Sequence, residues 1–283
     1  MGKKEKTEKL IGKDAFEKFY NDIYGERWEK LKQTFLQENC LTEFFIPGSQ
    51  KSYFLDSASI LAALALPLDE NVESILDLCA APGGKTVVLS SRMPDEAELF
   101  SNERSIDRKK RLCITVDECI PPAVSKRIKV SCSDGAVWCK KQSECYDRIL
   151  LDAPCSSERH VYNDKKYLDV WTPSRIKQVT TMQWALLSSA YRLLKKGGYM
   201  IYSTCALCPQ ENDGIIRRLI DKFEKSSPFE LCEPKTELSE IRKFIKSDFV
   251  LPSYEKTELG FQVLPDVNNG AGPIYFSLIK KCE

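Results

Sequence analysis

The stretch Leu76-Asp-Leu-Cys-Ala-Ala-Pro-Gly-Gly-Lys85, followed by Thr86, limits what this chain can fold into more than any other. Val72, Ile75, Leu76 and Leu78 are apolar and bounded by polar residues, which predicts a short core strand. Pro82, Gly83 and Gly84 break the strand, and a helix begins at Lys85. A glycine pair between strand and helix lets a ligand approach the backbone closely, and a helix N-terminus offers free N–H groups. The pattern predicts a nucleotide or nucleoside pocket at the carboxyl end of a parallel strand.

Two common phosphate loops do not fit. A Walker loop needs a glycine where Cys79 stands, and Ala81-Pro82-Gly83-Gly84 is not the Gly-x-Gly-x-x-Gly of dinucleotide sites. A nucleoside without a phosphate chain remains, S-adenosylmethionine first. The plainer alternative is an ordinary strand-to-helix turn.

Composition narrows the class. The chain has 283 residues, 42% hydrophobic, with a net charge of +1, which describes a folded protein whose basic surface can only be local. No apolar run approaches the roughly 20 residues of a membrane span, and Met1-Gly-Lys-Lys-Glu-Lys lacks the apolar core of a signal peptide. We therefore expect no membrane association and a cytoplasmic location. Twelve cysteines and a single histidine suit reduced thiols. Cys205-x-x-Cys208 has no second pair at matching spacing, so we expect no metal.

Residues 1–13 read as a frayed Lys-rich tail. Apolar residues from Phe16 to Leu36 predict one or two helices, broken at Tyr24-Gly25. Asp56 suits the cap of a helix running to Leu66, which Pro67 closes. We expect residues 1–66 to form a helical extension packed on a catalytic domain of residues 67–283, walling its pocket. Strands are then predicted at 98–101, 128–131, 146–152, 199–203 and 273–279, with helices from Asp107 to about Val116, from Thr172-Pro173 to Gly197-Gly198, and from Pro209 to Phe223. Alternating strands and helices imply a parallel sheet covered on both faces.

In such a sheet the strand ends carry the chemistry. Glu103 follows the second strand of this series and suits the hydroxyls of a ribose. Asp134 follows the third and suits an adenine amino group. Asp152-Ala-Pro-Cys155 follows the fourth, and Ser203-Thr-Cys205 the fifth. Cys155 and Cys205 are either two structural thiols or face one cleft. A helix starting near Pro209 would stabilise a thiolate at Cys205. A thiolate beside a methyl donor suits cytosine methylation: addition at carbon 6 makes carbon 5 enamine-like, and a base must then remove the carbon-5 proton. Asp152 suits the cytosine N3 edge.

These three motifs together resemble the Nop/Sun family of RNA cytosine-5 methyltransferases, from about Tyr20 to the C-terminus. Tyr24-Gly-Glu-Arg-Trp28, Asp56-Ser-Ala-Ser59 and Gly272-Pro-Ile-Tyr-Phe276 resemble its compact, mitochondrial-type members, and make a mitochondrial location the alternative. The resemblance implies an α/β, Rossmann-like class I S-adenosylmethionine-dependent methyltransferase fold, with a mostly parallel seven-stranded sheet. It implies Cys205 as nucleophile, Cys155 as the residue assisting product release, Asp152 on the base and Lys85 at the reaction centre. It implies S-adenosylmethionine held by Cys79, Ala80, Ala81, Pro82, Gly83, Gly84, Lys85, Glu103, Arg108, Asp134 and Asp152. Glu103 stands where the family often has Asp, and Glu211-Asn-Asp213 where it usually has Glu-Asn-Glu; we give the latter a structural role.

The implied substrate is RNA, ribosomal first and transfer RNA second, with a protein partner or ribosomal subunit as a possible aid to targeting. Arg104, Arg108, Lys109, Lys110 and Arg111, and the loop Glu158-Arg-His-Val-Tyr-Asn-Asp-Lys-Lys166 with His160, are candidate RNA contacts. Two rivals stay open: a DNA cytosine-5 methyltransferase, and a catalytically silent RNA-binding ribosome-assembly factor.

Overall fold

A computed structural model describes residues 10–38 and 41–282; most of the Lys-rich tail lies outside them. Helices α1 (Lys13–Tyr24) and α2 (Arg27–Phe35) are separated at Gly25, whose φ of +55° ends the first. The strands β1 (Leu41–Phe44) and β2 (Tyr53–Asp56) form an antiparallel ribbon that the apolar pattern did not predict. Asp56 caps α3 (Ser57–Leu64), accepting from Ala58 N at 2.8 Å.

Alternation then begins with β3 (Ser74–Asp77), α4 (Gly84–Ser90), β4 (Glu98–Asn102), α5 (Ile106–Cys119), the short α6 (Pro122–Ser125) and β5 (Ile128–Ser131). It continues through β6 (Tyr146–Asp152), α7 (Glu158–Asn163), α8 (Lys165–Leu168), α9 (Ser174–Leu193), β7 (Leu194–Thr204) and α10 (Asp213–Phe223). Strands β8 (Phe229–Cys232), β9 (Glu255–Lys256), β10 (Phe261–Val263) and β11 (Ile274–Lys281) complete the chain.

The main sheet has nine strands rather than seven, in the order β5-β4-β3-β6-β7-β11-β10-β9, with β8 on β11. The first five in that order are parallel, and β11 runs antiparallel to β7. The sequence pattern does not locate the short strands β8, β9 and β10, each too brief to leave a periodic signal. Residue alternation splits the core. Ile75, Leu150, Ile201, Phe276 and Leu278 face α3, α4 and α5. Leu76, Ile149, Leu151, Met200, Tyr202 and Ile279 face α9 and α10. A third cluster joins Phe16, Tyr20, Trp28 and Phe35 of the N-terminal helices to Val161, Leu168, Trp171, Leu207 and Cys208.

Two boundaries differ from expectation. Helix α9 ends at Leu193, and Gly197-Gly198 lies inside β7, where the register with β6 shifts between Tyr146 and Arg148. The glycines serve a bulge, Gly197 at φ +72°, rather than a helix end. Helix α10 begins at Asp213 and not near Pro209. Residues 209–212 stay a turn because Glu211 and Asn212 turn their side chains back onto the two cysteine loops.

Gly83 sits at φ +117°, and a Cβ there would lie 2.7 Å from Thr115 Cγ2. Gly83→Ala is expected to cost roughly 1–3 kcal/mol, since both the left-handed backbone and the contact penalise a side chain. Urea unfolding measures it, and an unchanged midpoint would contradict the turn geometry.

Candidate active site

The chain leaves β3 toward β4 on one side and returns through β6 on the other, so a crevice opens at the carboxyl ends of β3 and β6. The loop after β3 lies in it. Side chains of α5 hold its carbonyls: Arg108 Nη2 donates to Ala81 O at 2.5 Å, and Thr115 Oγ1 to Pro82 O at 2.7 Å. Ala80 N donates to Asn102 O at 2.8 Å. These bonds fix the loop whether or not a ligand is bound.

On one side of the loop is a cavity of about 350 Å³, lined by Cys79, Glu103, Asp134, Gly135, Met182 and Leu186. Glu103 Oε1 accepts from Ser105 N at 2.9 Å. Its Oε2 is buried in an ion pair 3.1 Å from Arg108 Nη1 that is out of line for a hydrogen bond, so among the described residues it has no hydrogen-bond donor. Asp134 Oδ1 accepts from Ala136 N at 3.1 Å. A buried acceptor without a donor, beside apolar walls, fits a nucleoside that brings hydroxyl and amino donors.

On the other side is a cavity of about 230 Å³, lined by Tyr53, Ser59, Asp77, Cys79, Gly84, Lys85 and Asp152. Asp77 is fully buried. Its Oδ2 accepts from Thr86 Oγ1 at 2.7 Å, and its Oδ1 has no partner. Burial pushes its carboxyl up to about 7. Burial opposes the charge of Lys85, and Asp152 overcomes it, leaving the ammonium above its ordinary value. Lys85 Nζ donates to Asp152 Oδ2 at 2.7 Å, and Ser203 Oγ donates to Oδ1 at 3.0 Å. Asp152 is thus aimed by two elements, α4 and β7.

Ser59 also lines a third and larger cavity, of about 610 Å³, together with Phe35, Ser157, Arg159, His160, Cys205 and Pro273. Cys205 opens into it. The sulfurs of Cys155 and Cys205 are 2.7 Å apart, and of the two it is Cys205 that lines the cavity. The hydrogen bond to Cys205, then burial, push the Cys155 thiol well up.

The turns bearing the thiols are bound from behind. Glu211 Oε2 accepts from Ser156 N and from Gln183 Nε2, both at 2.9 Å. Thr204 Oγ1 donates to Asn212 Oδ1 at 2.7 Å, and Asn212 Nδ2 to Ala206 O at 2.9 Å. Glu158, expected in an RNA-facing loop, is instead fully buried beneath the thiols. Arg159 donates to four carbonyls, those of Thr34, Gln37, Gly270 and Gly272, so it binds the cavity wall together. His160, Lys165 and Lys166 of the same loop are exposed, as are Arg104, Lys110 and Arg111.

Sequence reasoning missed Asp77, Ser59 and Tyr53. Asp77 had a usable signal, since it ends β3 as Asp152 ends β6. Ser59 and Tyr53 reach the site only by tertiary folding of the ribbon and α3 against the loop.

Residues 63–276 match the family described as 16S rRNA methyltransferase RsmB/F. The 5-cytosine rRNA methyltransferase NSUN4 of Bos taurus is 30% identical over 81% of this chain and 59% of that protein. The mitochondrial tRNA (cytosine(34)-C(5))-methyltransferase of Mus musculus is 33% identical over 83% of this chain and 65% of its own length. Ribosomal RNA small subunit methyltransferase F of Aliivibrio salmonicida is 37% identical over 63% of this chain and 37% of its length. The chain spans less than two thirds of each of these relatives. Among solved structures, a methyltransferase homologue from Pyrococcus horikoshii aligns with a TM-score of 0.65 at 19% identity, over 93% of this chain and 95% of its own. NSun6 from Pyrococcus horikoshii aligns with a TM-score of 0.64 at 22% identity, over 83% of this chain and 54% of its own.

Asp77 gives a pH test. Its carboxyl ionises near 3.8 when unfolded and near 7 when buried, so it lowers stability progressively as pH rises between those values. Asp77→Asn removes that penalty. The variant is expected to gain about 2–3 kcal/mol more over the parent at pH 8 than at pH 5. Chemical denaturation at both pH values measures the difference, and equal gains would show that Asp77 titrates normally.

Proposed function

The chain belongs to the 16S rRNA methyltransferase RsmB/F family, and on that premise we propose that it transfers a methyl group from S-adenosylmethionine to carbon 5 of a cytosine in RNA. The observation that carries the proposal is the pair of thiols 2.7 Å apart. Cys205 opens into the cavity of about 610 Å³, while Lys85 and Asp152 line the neighbouring one, which shares Ser59 with it. The cofactor supplies an electrophilic methyl group on a sulfonium. Glu103 and Asp134 hold its nucleoside, with the loop from Cys79 to Gly84 against its centre and Arg108 steadying Glu103 and the loop.

In this reading the target base enters the large cavity and Asp152 holds its edge, with Lys85 in reach to balance charge. Cys205 adds to carbon 6. Carbon 5 then takes the methyl group and must lose its proton before Cys205 can leave. Cys155 suits that step. Its thiol is pushed up first by the hydrogen bond with Cys205 and then by burial, and bonding of Cys205 to the base removes the first of these. Cys155 so becomes easier to ionise at the stage when a base is needed.

Ribosomal RNA is the first expected substrate, since NSUN4 and methyltransferase F are named for it, and transfer RNA the second. Arg104, Lys109, Lys110, Arg111, His160, Lys165 and Lys166 are the proposed backbone contacts. The reading uses Cys155 and Cys205 as free thiols, which fits a reducing compartment, the cytoplasm first and the mitochondrion second.

Bisulfite sequencing of total RNA with and without the gene tests the activity and identifies the cytosine. Loss of one protected position supports the proposal; protection unchanged in every abundant RNA favours a silent assembly factor. Cys205→Ala is expected to abolish both product and adduct. Cys155→Ala is expected to accumulate a covalent RNA adduct, with release slowed by about 10²–10⁴-fold. Adduct loss in Cys155→Ala with adduct retained in Cys205→Ala would exchange the two roles and point to DNA-type chemistry.

A further inference from the structure

Glu158 is fully buried, yet three donors converge on its carboxylate. Oε1 accepts from Tyr20 Oη at 2.5 Å and from Ser156 Oγ, and Oε2 accepts from Leu207 N at 3.0 Å. Ser156 adjoins Cys155, and Leu207 lies in the turn of Cys205. One carboxylate therefore joins both thiol-bearing turns, and its third donor comes from helix α1. Tyr24 Oη adds a second link, donating to Leu207 O at 2.8 Å.

We propose that Glu158 is a positioning residue for the thiol pair, and that Tyr20 makes the N-terminal helix part of that device. The inference rests on the methyl-transfer reading for its rate effects, but not for its geometry. A buried carboxylate is held ionised only while its donors are present. Burial pushes the Glu158 carboxyl up and these hydrogen bonds oppose it. Removing the Tyr20 hydroxyl leaves the carboxylate a donor short. The contacts to Ser156 and Leu207 then lose the third donor that fixes the carboxylate between them. The two turns lose their common anchor and the sulfurs separate. Glu211 also ties the Cys155 turn to this segment, its Oε2 accepting from Ser156 N and its own N donating to Cys208 O, but it makes no bond to Leu207 or Tyr20.

The comparison that isolates this role is Arg27. It fastens the same N-terminal helices to the C-terminal segment, donating to Glu255 and Asp266 at 2.6–3.0 Å. It touches neither Glu158 nor either thiol turn in any of these bonds.

The experiment uses the whole chain as Tyr20→Phe, Ser156→Ala and Arg27→Lys. Diamide is added, and the rate of Cys155–Cys205 disulfide formation is followed by mass mapping of the linked peptide. Two thiols are oxidised and diamide is reduced to the hydrazine, so the rate reads their spacing without RNA. Methylation kinetics and thermal unfolding are measured alongside. Tyr20→Phe is expected to slow linkage about threefold and lower kcat about tenfold at unchanged KM for RNA, as misplaced reacting groups do. Ser156→Ala is expected to do the same, and stands in if Tyr20→Phe does not fold. Arg27→Lys is expected to lower the unfolding temperature while leaving both rates at the parental value. Parental linkage and kcat in Tyr20→Phe and Ser156→Ala overturn the proposal, as does an equal loss in Arg27→Lys. Tyr20-dependent linkage in a protein that methylates no RNA supports the positioning role and overturns the methyltransferase reading instead.

Discussion

Everything at the active edge depends on where two neighbouring parallel strands send their chains. β3 and β6 are bonded side by side, yet one leads to β4 and the other to β7. Their loops diverge from one another at the carboxyl end of the sheet. Into the gap between them α4 delivers Lys85, β6 delivers Asp152, and β7 delivers Ser203, each along a rigid element. The 2.7 Å ion pair of Lys85 and Asp152 crosses the gap and ties its two sides.

The surroundings of that gap carry an unusual load of buried acid. Asp77, Glu103, Glu158 and Glu211 are all buried, and three of them leave one oxygen without a donor. Burying a carboxylate without full compensation is costly. The donors present explain where the load is tolerated: Thr86 at Asp77, Ser105 at Glu103, and a ring of hydroxyl, amide and backbone donors at Glu158 and Glu211. The free oxygens at Asp77 and Glu103 line the cavities beside the loop, whereas that of Glu211 lies behind the thiols. The first two lie where the proposed cofactor would bring its donors; the last lies among scaffold bonds.

Much of this was legible beforehand because it was local. β5 and β6 lie where short apolar runs put them, since each run is bounded by polar residues. Asp56 and the Tyr24-Gly25 break follow from capping and backbone freedom. The family was readable from three loops, each only a few residues long. What escaped was set by distant partners. Pro209 signals a helix start, but Glu211 and Asn212 make more bonds as a turn. Gly197-Gly198 reads as a helix stop, yet the β6 register needs a bulge there. Glu158 sits among charged residues that look like a solvated loop, and only the arrival of Tyr20, 138 positions away, takes it out of water.

Arg159 shows how far a residue count misleads about attraction for a polyanion. Its guanidinium is spent on four carbonyls drawn from the end of α2 and from the segment before Pro273. It cannot reach out to a phosphate without opening the wall it holds. That wall is a preassembled mould, and the cation inside it is committed to the chain's own carbonyls rather than to a partner's charge.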